Sequence, residues 1–119
     1  MGKISPQEQK LYDALKDNFN CKQQHSDGHK RVDIRMYDAQ LDIEVDGDEH
    51  YLISKNIIRD IKREHYSLND GYYTIHIPDR IVNEKFDKLV IAIKEVASHR
   101  KKVLNKYMRK IFTKQIIKP

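Results

Sequence analysis

Cysteine is nearly absent: Cys21 stands alone among 119 residues. One thiol excludes a disulfide framework and any zinc site built on several thiolates, and it fits a reducing compartment. Tryptophan is missing altogether. No apolar run approaches the ~18 residues of a membrane span, and the opening MGKISPQEQK lacks the apolar stretch of a signal peptide. The expectation is a soluble, cytoplasmic protein with no membrane partner. Repeats, low-complexity stretches and linkers are also lacking. At a prior of about 150 residues per domain, residues 1–119 form one domain, able to bury a core without staples. The last stretch, HRKKVLNKYMRKIFTKQIIKP, contains no Asp or Glu.

The chain nonetheless carries a net charge of +5 with its acids gathered centrally, in LDIEVDGDEH. A basic chain with an acidic centre suits a metal site set within a phosphate-binding surface. Chance can produce the same distribution, so the motifs must decide.

Ser5, Pro6 and Glu8 form a helix start with a capping box, and Leu11, Leu15 and Phe19 follow at helical spacing. CKQQH and KRVDIRM flank the turn signal Ser26-Asp27-Gly28-His29. KRVDIRM then meets QLDIEVD across Asp38-Ala39, which predicts an antiparallel meander of three strands. From Lys55 to Asp70 the period becomes helical, through Ile57, Ile58, Ile61, His65 and Leu68, with Gly71 as the C′ residue. YYTIHI is a strand closed by Pro78. A final helix begins near Asn83 and carries Phe86, Leu89, Val90, Ile93 and Ala97, with Val103, Leu104, Tyr107, Met108 and Ile111 continuing its stripe. The order helix, three strands, helix, strand, long helix predicts an α/β (α+β) fold with a mixed sheet, the last strand parallel to the third. Residues 99–119 form a basic helical extension.

If Asp38-Ala39 are the two loop residues, counting back along both strands sets Asp33 opposite Glu44, with Cβ atoms roughly 4.5–5.5 Å apart. Asp46 shares the face of Glu44 by the period of two. Asp42 is balanced by Arg35. Val32, Ile34 and Met36 oppose Leu41, Ile43 and Val45 on an apolar face. Opposed like charges destabilise a strand pair; a cation removes the conflict, and Mg²⁺ takes a few carboxylates plus water and phosphate oxygens. A solvated strand face is the bland alternative. Asp42, Glu44, Asp46 and Gly47 mimic an EF-hand start, but position twelve is Ile53 where Glu is required.

The run VDIRMYDAQLDIEVDGDEH followed by RDIKREHYSLNDGYYTIHIP resembles the PD-(D/E)XK restriction-endonuclease-like core, in the branch of the very short patch repair endonucleases and related homing endonucleases. The likeness spans Ser5 to Ile93. It is carried by Asp33, Glu44, Asp46-Gly47, His50, Arg59-Asp60, Arg63, Leu68 and Gly71 in order. It implies a Mg²⁺-dependent DNA endonuclease, with Mn²⁺ as substitute. By the likeness Asp33 takes the place of the metal-binding aspartate, Glu44 that of the acidic residue of the next strand, His50 that of the catalytic histidine, Asp60 that of the helix aspartate, and Glu8 the acidic position of the first helix; Asp46, on the face of Glu44, is a further metal candidate. The superfamily's lysine two residues after Glu44 is here Asp46, so that its charge comes from Lys55 or Lys62 or is absent. One Cys and no Trp leave no structural zinc or aromatic wedge, so mismatch repair is not expected.

Each residue has a plainer reading. Glu8 can close the capping box, although it shares the inward stripe of Leu11 and Leu15. His50 can be a loop histidine, and Asp60 and Arg63 a surface ion pair. His25, His29, His65 and His76 read as structural, and Tyr72 and Tyr73 as core and surface of the last strand. Arg59, Lys62 and Arg63 are candidates for DNA contacts, as are Arg100, Lys101, Lys102, Lys106, Arg109 and Lys110 on the basic end. That end is otherwise a solvated helix, or a homodimer contact through its apolar stripe. Two other functions stay open: a non-catalytic nucleic-acid-binding module of the same fold, and a dimeric junction resolvase.

Overall fold

The computed structural model describes residues 4–26, 28, 31–47 and 71–117, with backbone only over 108–117. Helix α1 spans Pro6–Leu15, strand β1 Cys21–Ser26, β2 Arg31–Met36, β3 Leu41–Asp46 and β4 Tyr73–Pro78. Helices α2, Asp79–Glu84, and α3, Phe86–Ile117, close the chain. The strands form one sheet in the order β1-β2-β3-β4. β1, β2 and β3 are antiparallel neighbours, and β4 runs parallel to β3. This is the mixed α/β architecture expected from the sequence. The segment joining β3 to β4, including the helix expected over 55–70, lies outside the described residues.

Ser5 caps α1 with extended backbone, its Oγ accepting the Glu8 N–H at 3.1 Å, and Pro6 occupies a first-turn position. Leu11 and Leu15 are fully buried and pack on the sheet. The β2–β3 connection turns on Asp38-Ala39: the Gln40 N–H reaches the Tyr37 carbonyl at 3.4 Å, and Gln40 takes a φ of 47°. Gly28 and Gly71 sit at φ 89° and 80°, where a Cβ would be strained.

The apolar face carries Val32, Ile34, Met36, Leu41, Ile43 and Ile77. Leu11, Leu15, Val82, Ile93 and Ala97 cover it from the helices, with Phe19 from the turn after α1. A fully buried leucine in such a layer contributes about 1.5–3 kcal/mol. β3 is buried along both faces, Asp42 included. Pro78 ends β4, which is an edge strand where a missing N–H costs no ladder bond.

The C-terminal helical region differs from the expected start near Asn83. Helix begins at Asp79, directly behind Pro78, and breaks at Lys85 (φ −130°, ψ 32°) before α3. Asp79 favours a helix N-terminus, and Val82 gains full burial from the early turn. The apolar stripe of α3 is buried at Ile93 and Ala97, but Val103 and Tyr107 are exposed. No helix of the described residues is long and apolar enough to cross a membrane.

Candidate functional site

Two polar rows cross the sheet. In the first, Lys22, Arg35, Asp42 and Thr74 are neighbours by register. Arg35 grips Asp42 with two parallel bonds, Nε–Oδ1 and Nη2–Oδ2, each 2.8 Å. Both side chains are buried, as an Arg–carboxylate fork permits. The guanidinium lies 3.9 Å over the Tyr72 ring, and its Nη1 is 3.2 Å from His25 Nε2. Arginine only donates, so His25 Nε2 accepts and its Nδ1–H donates to the Tyr37 hydroxyl, 3.0 Å away. The pairing of Asp42 with Arg35 expected from the sequence is present.

The second row lies one step closer to the C-terminal ends of β3 and β4. Glu44 pairs with His76 by register. Continuing the Ile34–Ile43 pairing by one step sets Asp33 beside Glu44, across two adjacent strands. Asp33 departs from a plain ladder: its Oδ2 accepts the Val45 N–H at 2.8 Å. Beyond Glu44, Asp46 Oδ2 lies 3.1 Å from His76 Nδ1. Glu44 and Asp46 are both buried.

Glu8 joins this row from α1. Its carboxylate is turned to β1, where Gln23 Nε2 donates to Oε2 at 3.0 Å and Gln24 Nε2 donates to Oε1 at 2.8 Å. Gln24 Nε2 is also 3.4 Å from Asp33 Oδ1. Glu8 is 2% exposed. Burial foremost pushes its carboxyl above the ordinary value; the Gln24 bond pulls it down, the Asp33 charge pushes it up, and the Gln23 bond pulls it down. Of the two readings of Glu8, inward stripe and capping box, the side chain follows the inward one.

Among the described residues, no three His, Cys, Asp or Glu side chains are gathered into a cation-holding group. Asp46 is turned to His76. Mg²⁺ needs only one or two protein carboxylates and keeps several waters, so the donor chemistry of Asp33 and Glu44 fits that ion without Asp46.

His50, Arg59, Asp60, Lys62, Arg63 and Arg109 lie outside the residues whose side chains are described, as do Lys55, Lys110, His29 and His65. Arg100, expected to face phosphate, donates instead to the Ala39 and Gln40 carbonyls at 2.8 and 2.9 Å, because the β2–β3 turn leaves those carbonyls pointing at α3. Lys101 lies 3.3 Å from Asp38 Oδ2. Lys102 and Lys106 are exposed. Two residues at the site escaped the sequence reading. His76 reads from the sequence as structural, and strand alternation hides Gln24; the parallel register of β4 is the signal for the first, and nothing in the sequence marks the second.

No model of a known protein family matches the chain, and no curated protein is significantly similar to it. Among solved structures, the chain is similar to the homing endonuclease I-Bth0305I catalytic domain, at 21% identity and a TM-score of 0.66. The likeness covers 81% of this chain and 97% of that domain. At that identity it shows a shared fold.

Proposed function

We propose that the protein is a Mg²⁺-dependent DNA endonuclease of the PD-(D/E)XK type, akin to the very short patch repair and homing endonucleases. The observation that carries this reading is the pair Asp33 and Glu44 on adjacent strands of a fold shared with a homing endonuclease catalytic domain. Opposed carboxylates cost stability in a strand pair, and a phosphodiester hydrolase has a use for them. Asp33 and Glu44 hold the ion in this reading, with Asp46 as a third donor once released from His76. Bound Mg²⁺ supplies charge stabilisation to the phosphoryl group and activates water for attack. The Val45 N–H fixes the Asp33 carboxylate, leaving its other oxygen toward Gln24 and Glu8. In this reading His50 acts as general base, Asp60 takes the place of the family's helix aspartate, and Arg59, Lys62 and Arg63 contact the DNA backbone. Lys102 and Lys106, exposed on α3, add phosphate contacts.

A non-catalytic nucleic-acid-binding module is the second reading, favoured by Asp46 standing where the superfamily carries lysine. Nicking of supercoiled plasmid by the pure protein separates the two. Under the endonuclease reading, Mg²⁺ supports nicking, EDTA stops it, and Asp33→Asn or Glu44→Gln abolishes it with the melting temperature retained. Full activity in either variant would overturn the site assignment. Binding without cleavage by the wild type would establish the second reading.

A further inference from the structure

Helix α3 carries a second apolar stripe beside its buried one. Ala92, Val96, Val103 and Tyr107 are all exposed, the last three by 42, 52 and 60%. At 3.6 residues per turn they share one side of the helix, roughly a quarter-turn from the buried Ile93 and Ala97. Single exposed apolar residues are ordinary on a surface, whereas four in line mark an interaction face. They follow at steps of four, seven and four residues, a spacing that reads the same from either end. Such a stripe matches a reversed copy of itself. About a centre between His99 and Arg100, Val96 meets Val103 and Ala92 meets Tyr107.

Charge decides the direction. Beyond Ala97 the chain has no Asp or Glu, so a parallel pair would lay two acid-free halves side by side. The reversed pair sets residues 104–113 along 86–95, where Asp87 and Glu95 balance Lys88 and Lys94. Glu95, Lys102 and Lys106 are exposed along one flank of the stripe. Reversed, Glu95 stands level with position 104, midway between the partner's Lys102 and Lys106. At 1.5 Å of rise per residue each is about 3 Å away along the axis. Flanking charges of this kind set the orientation of paired helices. One of the two lysines satisfies Glu95, and the other stays available to phosphate.

We infer that α3 is a homodimer contact, packing antiparallel on the α3 of a second copy through Ala92, Val96, Val103 and Tyr107, with Glu95 paired to a lysine across the contact. A two-fold axis between His99 and Arg100 makes the contact isologous, one self-complementary patch serving both copies. Arg100 stays bound to the Ala39 and Gln40 carbonyls of its own chain, so the axis passes beside a fixed point of the fold. Under the endonuclease reading the dimer holds two carboxylate sites, the number needed to cut both strands of a duplex. The contact itself stands without that reading.

Sedimentation equilibrium over a range of protein concentration reads the mass, and oxidative crosslinking reads the register. The wild type should reach the dimer mass as concentration rises. Val96→Glu and Val103→Glu, both at exposed positions, should keep the melting temperature and raise the dimer dissociation constant about tenfold or more. Glu95→Lys should weaken the dimer as well, and adding Lys102→Glu and Lys106→Glu to it should restore the dimer. In a Cys21→Ser background, Val96→Cys together with Val103→Cys should give a covalent dimer on mild oxidation, and either substitution alone should not. Within one helix the two positions are about 10 Å apart, too far for an internal disulfide. A wild type that stays monomeric overturns the contact, as does a dimer indifferent to both glutamate substitutions. Equal crosslinking by the single and double cysteine variants overturns the antiparallel register. A monomer that gains mass only with duplex DNA assigns the stripe to the nucleic-acid surface instead.

Discussion

Arg35→Met tests the energetics of the sheet's buried polar pair most sharply. Asp42 is fully buried, and the substitution strips it of two 2.8 Å guanidinium bonds. It also removes the stack on Tyr72 and the donor to His25. Removing one partner of a buried pair costs about 3–5 kcal/mol, whereas replacing both by apolar groups is often neutral or better. For a domain of this length each kcal/mol moves the melting temperature by roughly 3–5 °C. Arg35→Met should therefore melt about 10–20 °C below the wild type, and Arg35→Met with Asp42→Leu should recover most of the loss. Circular dichroism melts and urea midpoints read both values. A single variant melting within about 3 °C of the wild type would refute the argument. A double variant no better than the single would relocate the cost from the stripped charge to the lost Tyr72 contact.

The Cys21 thiol is pushed up to about 11, by burial first and then by the negative charge of Asp38. At pH 8 only about one thiol in a thousand is thiolate, so Ellman's reagent should label it after urea unfolding and barely before; rapid native labelling would contradict this. Glu8 holds its proton to higher pH when folded than when unfolded, so ionising it as pH rises through that window removes stability. Glu8→Gln lacks this loss, and its stability relative to the wild type should climb as the pH rises above the ordinary glutamate range; a difference that stays flat counts against the burial argument. Arg100→Met removes charged bonds to the Ala39 and Gln40 carbonyls, worth about 1.5–3 kcal/mol each. It should lower the melting temperature and leave the salt dependence of DNA binding unchanged. Neutralising Lys102 and Lys106 should do the reverse, lowering the salt slope by about 0.9 per phosphate contact; equal effects of the two sets would erase the distinction.

The hairpin was legible in the sequence because two periodicities and one turn signal agreed. Asp38-Ala39 sets the register, and the register sets Asp33, Arg35, Asp42 and Glu44 on one face. The start of α1 was legible for a similar reason, since Ser5 and Pro6 act locally. What the sequence did not disclose depends on long-range geometry. Whether Glu8 closes its own helix or crosses to β1 turns on where Gln24 points, and a left-handed glutamine leaves no mark in a pattern. Arg100 looked like a phosphate contact because charge alone was visible; the carbonyls of the β2–β3 turn, some sixty residues earlier, were not. The break at Lys85 was missed because Pro78 reads as a stop for the strand and not as the start of a helix.

Asp33 and Glu44 are close in the chain, joined by a tight turn, whereas Asp46 meets His76 across 30 residues. Short loops close faster and at lower entropic cost than long ones. During folding the two carboxylates are thus forced together when the meander forms, before β4 can dock on β3. The nascent hairpin carries its electrostatic conflict alone at that stage. Divalent ions present during refolding would act on this early species, accelerating hairpin formation, while acid would do so by protonation. Docking of β4 would follow as a separate, slower event that neither treatment speeds.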